Sequence, residues 1–352
     1  MRFQPDETQQ AIVQAAGEAL DGAGVDLPER TWKALGQAGV FALAVPTWLG
    51  GHGLGVLETM LVLGEVGRRA APVPAMATLA LGILPVVRWG SRDQQAELLA
   101  GLGNDPVVLT AAIREPSDPM PAMPRTTAGP DLRVTGTKVG VPYAQRARRI
   151  LVPVSLTAGG SAIALVDPAA PGVTLRPTVS SSGMPECTVR LDNVAAAGIL
   201  GDGAVEDLYR LAIAGACALG DGAVAGALAL TTAHVGTREQ FGRPLAAFQA
   251  VAQQIADVYI ASRTLHLATL SACWRLSHDR MSDVDLDVAA HWLTTEAPAA
   301  LRTCHQLHGG LGLDVSYPLH RYSALVKDLV RFLGGTQYRL ERLGDSDAHR
   351  AD

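Results

Sequence analysis

Apolar residues return at helical spacing along the first hundred positions of the chain. Ile12, Val13, Ala16, Ala19 and Leu20 share one face behind Asp6, a suitable N-cap, and Trp32, Leu35 and Gly39 continue the pattern. Further helices are predicted over 57–68, 76–89 and 92–102. Val45-Pro46 leads into a glycine-rich stretch, Trp48-Leu49-Gly50-Gly51-His52-Gly53, which lacks the Lys and Ser/Thr of a phosphate loop and reads as a turn. Beyond Pro106 the character changes to short β-type runs, 107–112, 131–135, 149–154, 162–166, 174–177 and 187–191, spaced by Gly, Pro, Asp and Ser as in a small sandwich or barrel. Helices return after Asp202-Gly203, over 205–235, 246–278, 284–308 and 319–333, the pattern of an antiparallel bundle. The expectation is an α+β chain in three parts: an N-terminal helical domain (1–106), a middle β domain (107–203) and a C-terminal helical bundle (204–352).

Composition narrows the class. The chain has 352 residues, 48% apolar and 18% charged, with net charge −5, which fits a folded protein with a large core and argues against disorder. No basic run suggests nucleic acid. Cys187, Cys217, Cys273 and Cys304 are widely spaced and read as buried free thiols of a reducing compartment. The N-terminal residues lack an apolar signal core, so the cytoplasm is the expected location. The stretch 211–230 could imitate a membrane span, but Asp221 stands inside it and Ala and Gly dominate, so a buried helix and no membrane contact are expected. Gly215, Gly222 and Gly226 predict a tight helix neighbour, since each glycine costs up to about 1 kcal/mol against alanine. His305 and His308 beside Cys304 have no carboxylate at a suitable helical offset, and no metal is expected.

Candidate chemistry centres on Arg238-Glu239-Gln240-Phe241-Gly242-Arg243-Pro244-Leu245, between the first two helices of the third part. Gly242 permits unusual φ, Pro244 stops the incoming helix, and Arg238 is expected on its last turn, within reach of an anion. Spacing alone describes a helix–turn–helix corner with a solvated arginine. The whole run resembles more than that. Arg238, Phe241, Gly242, Leu245 and Gln249 match Arg-x-x-Phe-Gly-x-x-Leu-x-x-x-Gln, the signature of the acyl-CoA dehydrogenase family. Trp32 through Gly53 resembles that family's N-terminal domain. Glu115-Pro116 and Val134-Thr135-Gly136-Thr137-Lys138 resemble its middle-domain entrance. Gln306-Leu307-His308-Gly309-Gly310-Leu311-Gly312 and Gly335-Thr336 resemble its C-terminal signature. The resemblance covers nearly the whole chain. It implies the acyl-CoA dehydrogenase fold, with an N-terminal helical domain, a middle β-barrel or sandwich and a C-terminal four-helix bundle.

Members of that family oxidise the Cα–Cβ bond of an acyl thioester: a carboxylate removes the α-proton while hydride leaves Cβ for FAD. The family's base stands either directly before the C-terminal Gly-Thr or early in the first helix of the last domain. Here those positions read Gly334 and Tyr209, so no catalytic residue is expected in this chain. Glu206 and Asp207 lie near Tyr209, but offsets of three and two residues turn a helical side chain by roughly 60° and 160° off the required line. They read instead as acidic residues stabilising a helix N-terminus. The family's flavin-lining Trp-Ile-Thr/Ser element has become Gly140-Val141-Pro142.

The positions by which one family member contacts the FAD of its neighbour are intact: Arg238, Gln240, Phe241, Leu245, Gln249, Gln306, Gly309 and Gly310. A chain that keeps the donating side and lacks the base resembles the small subunit of α2β2 heterotetrameric acyl-CoA dehydrogenases of bacterial sterol side-chain catabolism. That resemblance implies FAD shared with a homologous partner carrying the catalytic Glu. It also implies a steroid acyl-CoA substrate and an electron-transfer flavoprotein or similar acceptor. Two other readings stand beside it: a self-sufficient homomeric dehydrogenase whose relocated base is Glu206 or another carboxylate, and a flavin-free structural or acyl-CoA-binding scaffold. Retention of Arg238, Gln249 and Gln306 argues against the scaffold.

Overall fold

Asp6 starts the first helix, α1 (Glu7–Ala23), by a reciprocal cap: its carboxylate accepts the Gln9 N–H at 2.8 Å, and the Gln9 side chain accepts the Asp6 N–H at 3.1 Å. The computed structural model describes residues 4–24, 26–102, 107–201 and 203–348. Pro106 and Asp202, expected at the domain boundaries, lie outside these described residues. After α1 come α2 (Pro28–Gln37) and α3 (Val56–Arg68). The helix expected over 76–89 is two-part, since Met76–Ile83 winds as a π-helix before continuing as α4 (Leu84–Trp89). Gly82 in the wide turns lets the segment press on the following strand, for a Cβ there would stand 2.3 Å from the Leu109 Cβ. Ser91 caps α5 (Arg92–Leu99).

The middle strands are β1 (Val108–Ala111), β2 (Thr127–Ala128), β3 (Arg133–Pro142), β4 (Ala147–Leu156), β5 (Ser161–Val166), β6 (Val173–Thr178), β7 (Glu186–Ala195) and β8 (Ile199–Leu200). They join in one mixed sheet in the order β6-β7-β3-β2-β4-β5-β8, and β1 runs parallel to the first half of β4. The Lys138 ammonium on β3 is fully buried and donates to Glu115 at 2.8 Å, and Thr126 adds its N–H and hydroxyl to the same carboxylate. Burial pulls the lysine pKa down to about 8 against the pull of Glu115.

The C-terminal helices are α6 (Ala204–Thr237), α7 (Gln249–Ser277), α8 (Asp283–His308), α9 (Leu319–Phe332) and α10 (Gly335–Ala348). The last was not expected. One continuous apolar core joins the N- and C-terminal helices, and a second lies within the strand region. The expected glycine contact falls between α3 and α6: Cβ atoms at Gly222 and Gly226 would stand 1.9 Å from Gly64 O and 2.1 Å from Arg68 O. α6 is long and apolar enough to cross a membrane, yet 83% of its most apolar window is buried inside the fold, as a core helix would be. All four cysteines are free and buried. Asp207 corrects its sequence reading. Rather than serving only the helix N-terminus, it is buried and accepts from Arg88 Nε and Trp89 Nε1, both at 2.7 Å, tying α6 to α4.

Candidate functional site

α6 ends one residue before Arg238, whose backbone is already extended (φ −74°, ψ 120°). The expected helix–turn–helix corner is a short β-ribbon instead, with Glu239–Gln240 pairing antiparallel with Arg243–Pro244. Phe241 and Gly242 form its tip at φ 54° and 75°. Two consecutive left-handed residues make the tight hairpin turn whose twist matches the flanking strands, which explains why a ribbon forms here. The Leu245 N–H closes the loop onto Arg238 O at 2.8 Å, and the Gln240 side chain donates to Glu239 O at 2.9 Å. The Phe241 ring is 93% exposed, yet it is braced edge-to-face on Phe248. The Arg243 guanidinium lies 4.1 Å over that same Phe248 ring. Arg238 is exposed, and so is Gln249, the first residue of α7.

The second expected cluster sits at the end of α8. Gln306 is exposed on the last turn, and Gly309 (φ 58°) ends the helix with its N–H on Gln306 O. A Cβ at Gly309 or Gly310 would meet nothing nearby, so this backbone faces open space. The two clusters are joined by a contact that sequence reasoning missed: the rings of His234 on α6 and His308 on α8 stack. His308 Nδ1 engages Cys304 O at 2.8 Å and Nε2 engages the Tyr317 hydroxyl at 3.1 Å, while His305 is held between Gly312 O and Ser323 Oγ. Burial lowers the pKa of both stacked imidazoles; Arg238 adds to this at His234.

The two expected base positions have no basic group. Gly334 has φ 90°, and a Cβ there would stand 2.7 Å from both Pro119 Cγ and Tyr338 Cδ1. The turn is pinned on each side, because buried Arg339 donates to Leu333 O at 2.7 Å and the Thr336 hydroxyl donates to Thr294 O at 2.9 Å. Tyr209 donates its hydroxyl to Pro121 O at 3.0 Å, and burial pushes its pKa up, so it is a donor rather than a proton acceptor. Glu206 is 76% exposed and lies 3.8 Å from Arg210.

On β3, Gly140 (φ 60°) and Pro142 line a space of about 90 Å³ between the sheet and the helices. A Cβ at Gly140 would stand 2.9 Å from Arg114 Nη1 and 3.5 Å from Arg331 Nη1. Arg114 was not singled out in the sequence, because nothing local marks it; only the fold brings it against Gly140.

Family models for the acyl-CoA dehydrogenase N-terminal and C-terminal domains match residues 7–105 and 197–343. The chain is 45% identical over 346 residues to acyl-CoA dehydrogenase FadE28 of Mycobacterium tuberculosis, covering 98% of each. The chain belongs to the acyl-CoA dehydrogenase family. Among solved structures it resembles the Tcur3481-Tcur3483 steroid ACAD G363A variant (TM-score 0.90, 33% identity, 98% of this chain and 99% of that one). It also resembles the ChsE4-ChsE5 complex of Mycobacterium tuberculosis (TM-score 0.89, 29% identity, 99% of both chains).

The cofactor of this family is FAD. The space beside Gly140 does not fit its three-ring head. About 90 Å³ is far below the roughly 300–1,000 Å³ of pockets that take ligands of the size of a flavin ring system, and two guanidiniums already border it. The positions of the ribbon and the Gly309–Gly310 turn are different in kind: they are exposed, open and supplied with cationic and backbone donors.

Proposed function

We propose that this chain is the subunit of a heteromeric FAD-dependent acyl-CoA dehydrogenase that lacks the catalytic base. It presents Arg238, Gln240, Phe241, Leu245, Gln249, Gln306, Gly309 and Gly310 to the ADP half of an FAD whose ring is held by a homologous partner. The observation that carries this reading is Gly334. The base position has a left-handed backbone, and Pro119 and Tyr338 fill the room a side chain would take, so no carboxylate can be restored there by a simple change. Glu206, exposed and beside Arg210, does not favour the homomeric alternative.

In this reading FAD, when bound, would supply the hydride acceptor, and the base for the α-proton would be the partner's Glu. This chain binds and orients. Arg238 pairs with pyrophosphate oxygens, the braced Phe241 ring offers an apolar face, and the Gly309–Gly310 turn admits an anion against bare backbone. Similarity to a steroid ACAD supports a steroid thioester as substrate, and similarity to the ChsE4-ChsE5 complex supports a partner subunit; an α2β2 assembly, a cytoplasmic setting and an electron-transfer flavoprotein or similar acceptor belong to the same proposal.

The test is the visible spectrum and native mass of the chain alone and co-expressed with a homologous Glu-bearing subunit. The expected result is a colourless chain alone and a yellow tetramer with flavin equal to half the number of chains. A yellow homotetramer with flavin in every chain overturns the proposal.

A further inference from the structure

The small space beside Gly140 is walled by Val73, Met76, Leu219, Leu325 and Phe332, and the charged Arg114, Arg331, Glu186 and Asp328 also line it. Arg114 is the cation of interest. Its Nε is buried with no hydrogen-bond partner in the protein, and it forms no ion pair with any carboxylate among the described residues. The neighbouring acids are committed elsewhere. Glu186 directs its two oxygens to Arg331 at 3.1 and 2.6 Å. Asp328 accepts the backbone N–H groups of Ser181 and Ser182, both at 2.8 Å, the Ser182 hydroxyl at 2.6 Å, and Arg331 at 3.4 Å. Burial and the charge of Arg331 push the Arg114 pKa down, and the charge of Glu186 offsets only part of this. A guanidinium with a buried, unpartnered nitrogen beside an apolar slot gains from an added anion.

We propose that this slot binds a short-chain aliphatic monocarboxylate, its carboxylate on Arg114 and its alkyl tail against Met76, Leu219 and Phe332. Each part of that ligand follows from the site. The apolar walls call for an alkyl body. The volume, about 90 Å³, is small and limits the ligand to a few carbons. The guanidinium fork suits a carboxylate, which it can grip through two parallel hydrogen bonds. Glu186 and Asp328 line the same space, so a doubly charged anion meets more repulsion there than a monocarboxylate does. The slot uses none of the residues proposed to face the partner's FAD, although Gly140 and Pro142 in its wall stand at the family's flavin-lining positions, and it stands or falls separately from the partner reading.

The probe is butanoate, titrated into the purified full-length chain and into its complex by ligand-observed NMR, beside butanamide and inorganic sulfate. Saturable butanoate binding, roughly tenfold or more tighter than butanamide, is expected, as loss of a charge-assisted pair implies. Sulfate should not compete. Arg114→Met should abolish the butanoate signal, and Ala77→Leu should weaken it by filling the slot. Absence of butanoate binding overturns the proposal, as does equal binding of butanamide or effective competition by sulfate. If Arg114→Met does not fold, the comparison of the three probes on the unaltered chain decides it.

Discussion

The imidazoles of His234 and His308 stack with centroids 4.4 Å apart and planes 16° from parallel, joining the end of α6 to the end of α8. Both proposed FAD-facing clusters hang from this contact. Two protonated rings cannot stack at that distance without repulsion, and burial lowers the pKa of each. The folded state therefore binds fewer protons than the unfolded chain, so stability is full above the ordinary histidine value of about 6.5 and is lost as pH falls through and below it. Thermal unfolding followed across that range should show the decline. His308→Gln should flatten it, and a variant with the unaltered slope would detach the histidines from it.

Arg238→Ala should leave the fold and melting temperature of the chain unchanged, since the side chain is exposed. It should weaken FAD retention by the assembled complex by roughly ten- to a hundredfold, the loss of one charge-assisted contact. Arg238→Lys should recover part of this through charge without the two-pronged geometry. Flavin released on dilution, read by fluorescence, measures both.

Gly334→Ala should destabilise the chain by about 2–3 kcal/mol, combining left-handed strain with overlap on Pro119 and Tyr338. Gly335→Ala shares the positive φ, at 85°, but opens onto free space and should cost less. Gly334→Glu should produce no dehydrogenase activity in the chain alone. Chemical denaturation and a dye-reduction assay report the two halves of this prediction.

Glu115→Gln leaves the fully buried Lys138 ammonium without its counter-charge and should cost about 3–5 kcal/mol. The paired change Glu115→Leu with Lys138→Met should recover most of that loss. A double variant no more stable than the single one would show that the strand packing, rather than the charge balance, depends on these side chains.

Much of this arrangement was legible in the chain because it is written in local patterns. Asp6 announces a helix start, Gly222 and Gly226 announce a close neighbour, and the helical and strand periods divide the chain. What escaped notice depends on distant contacts. α10 follows Gly334-Gly335 and carries a polar sequence, so its periodicity is weak. β3 runs on through Gly136, Gly140 and Pro142, residues that ordinarily mark an end, because β7 pairs along it. The site divides similarly. The missing base and the ribbon signature are matters of residue type. The pressure of Arg114 on Gly140 and the histidine stack arise only when separate segments meet.

α6 is locked against α3 by the glycine contacts at its middle and then runs on without a break to Arg238. Beyond Gly226 it behaves as a rigid boom. Deleting one residue between Gly226 and Thr237 would slide the ribbon by about 1.5 Å and swing it about the helix axis by roughly 100°, carrying Arg238 out of phase with the turn at Gly309. The packing N-terminal to Gly226 would keep its register, while the two clusters would face different directions. This segment is therefore fixed in length as well as at its buried positions Ala227, Thr231 and Val235 and at the stacked His234, a constraint of counting added to one of packing.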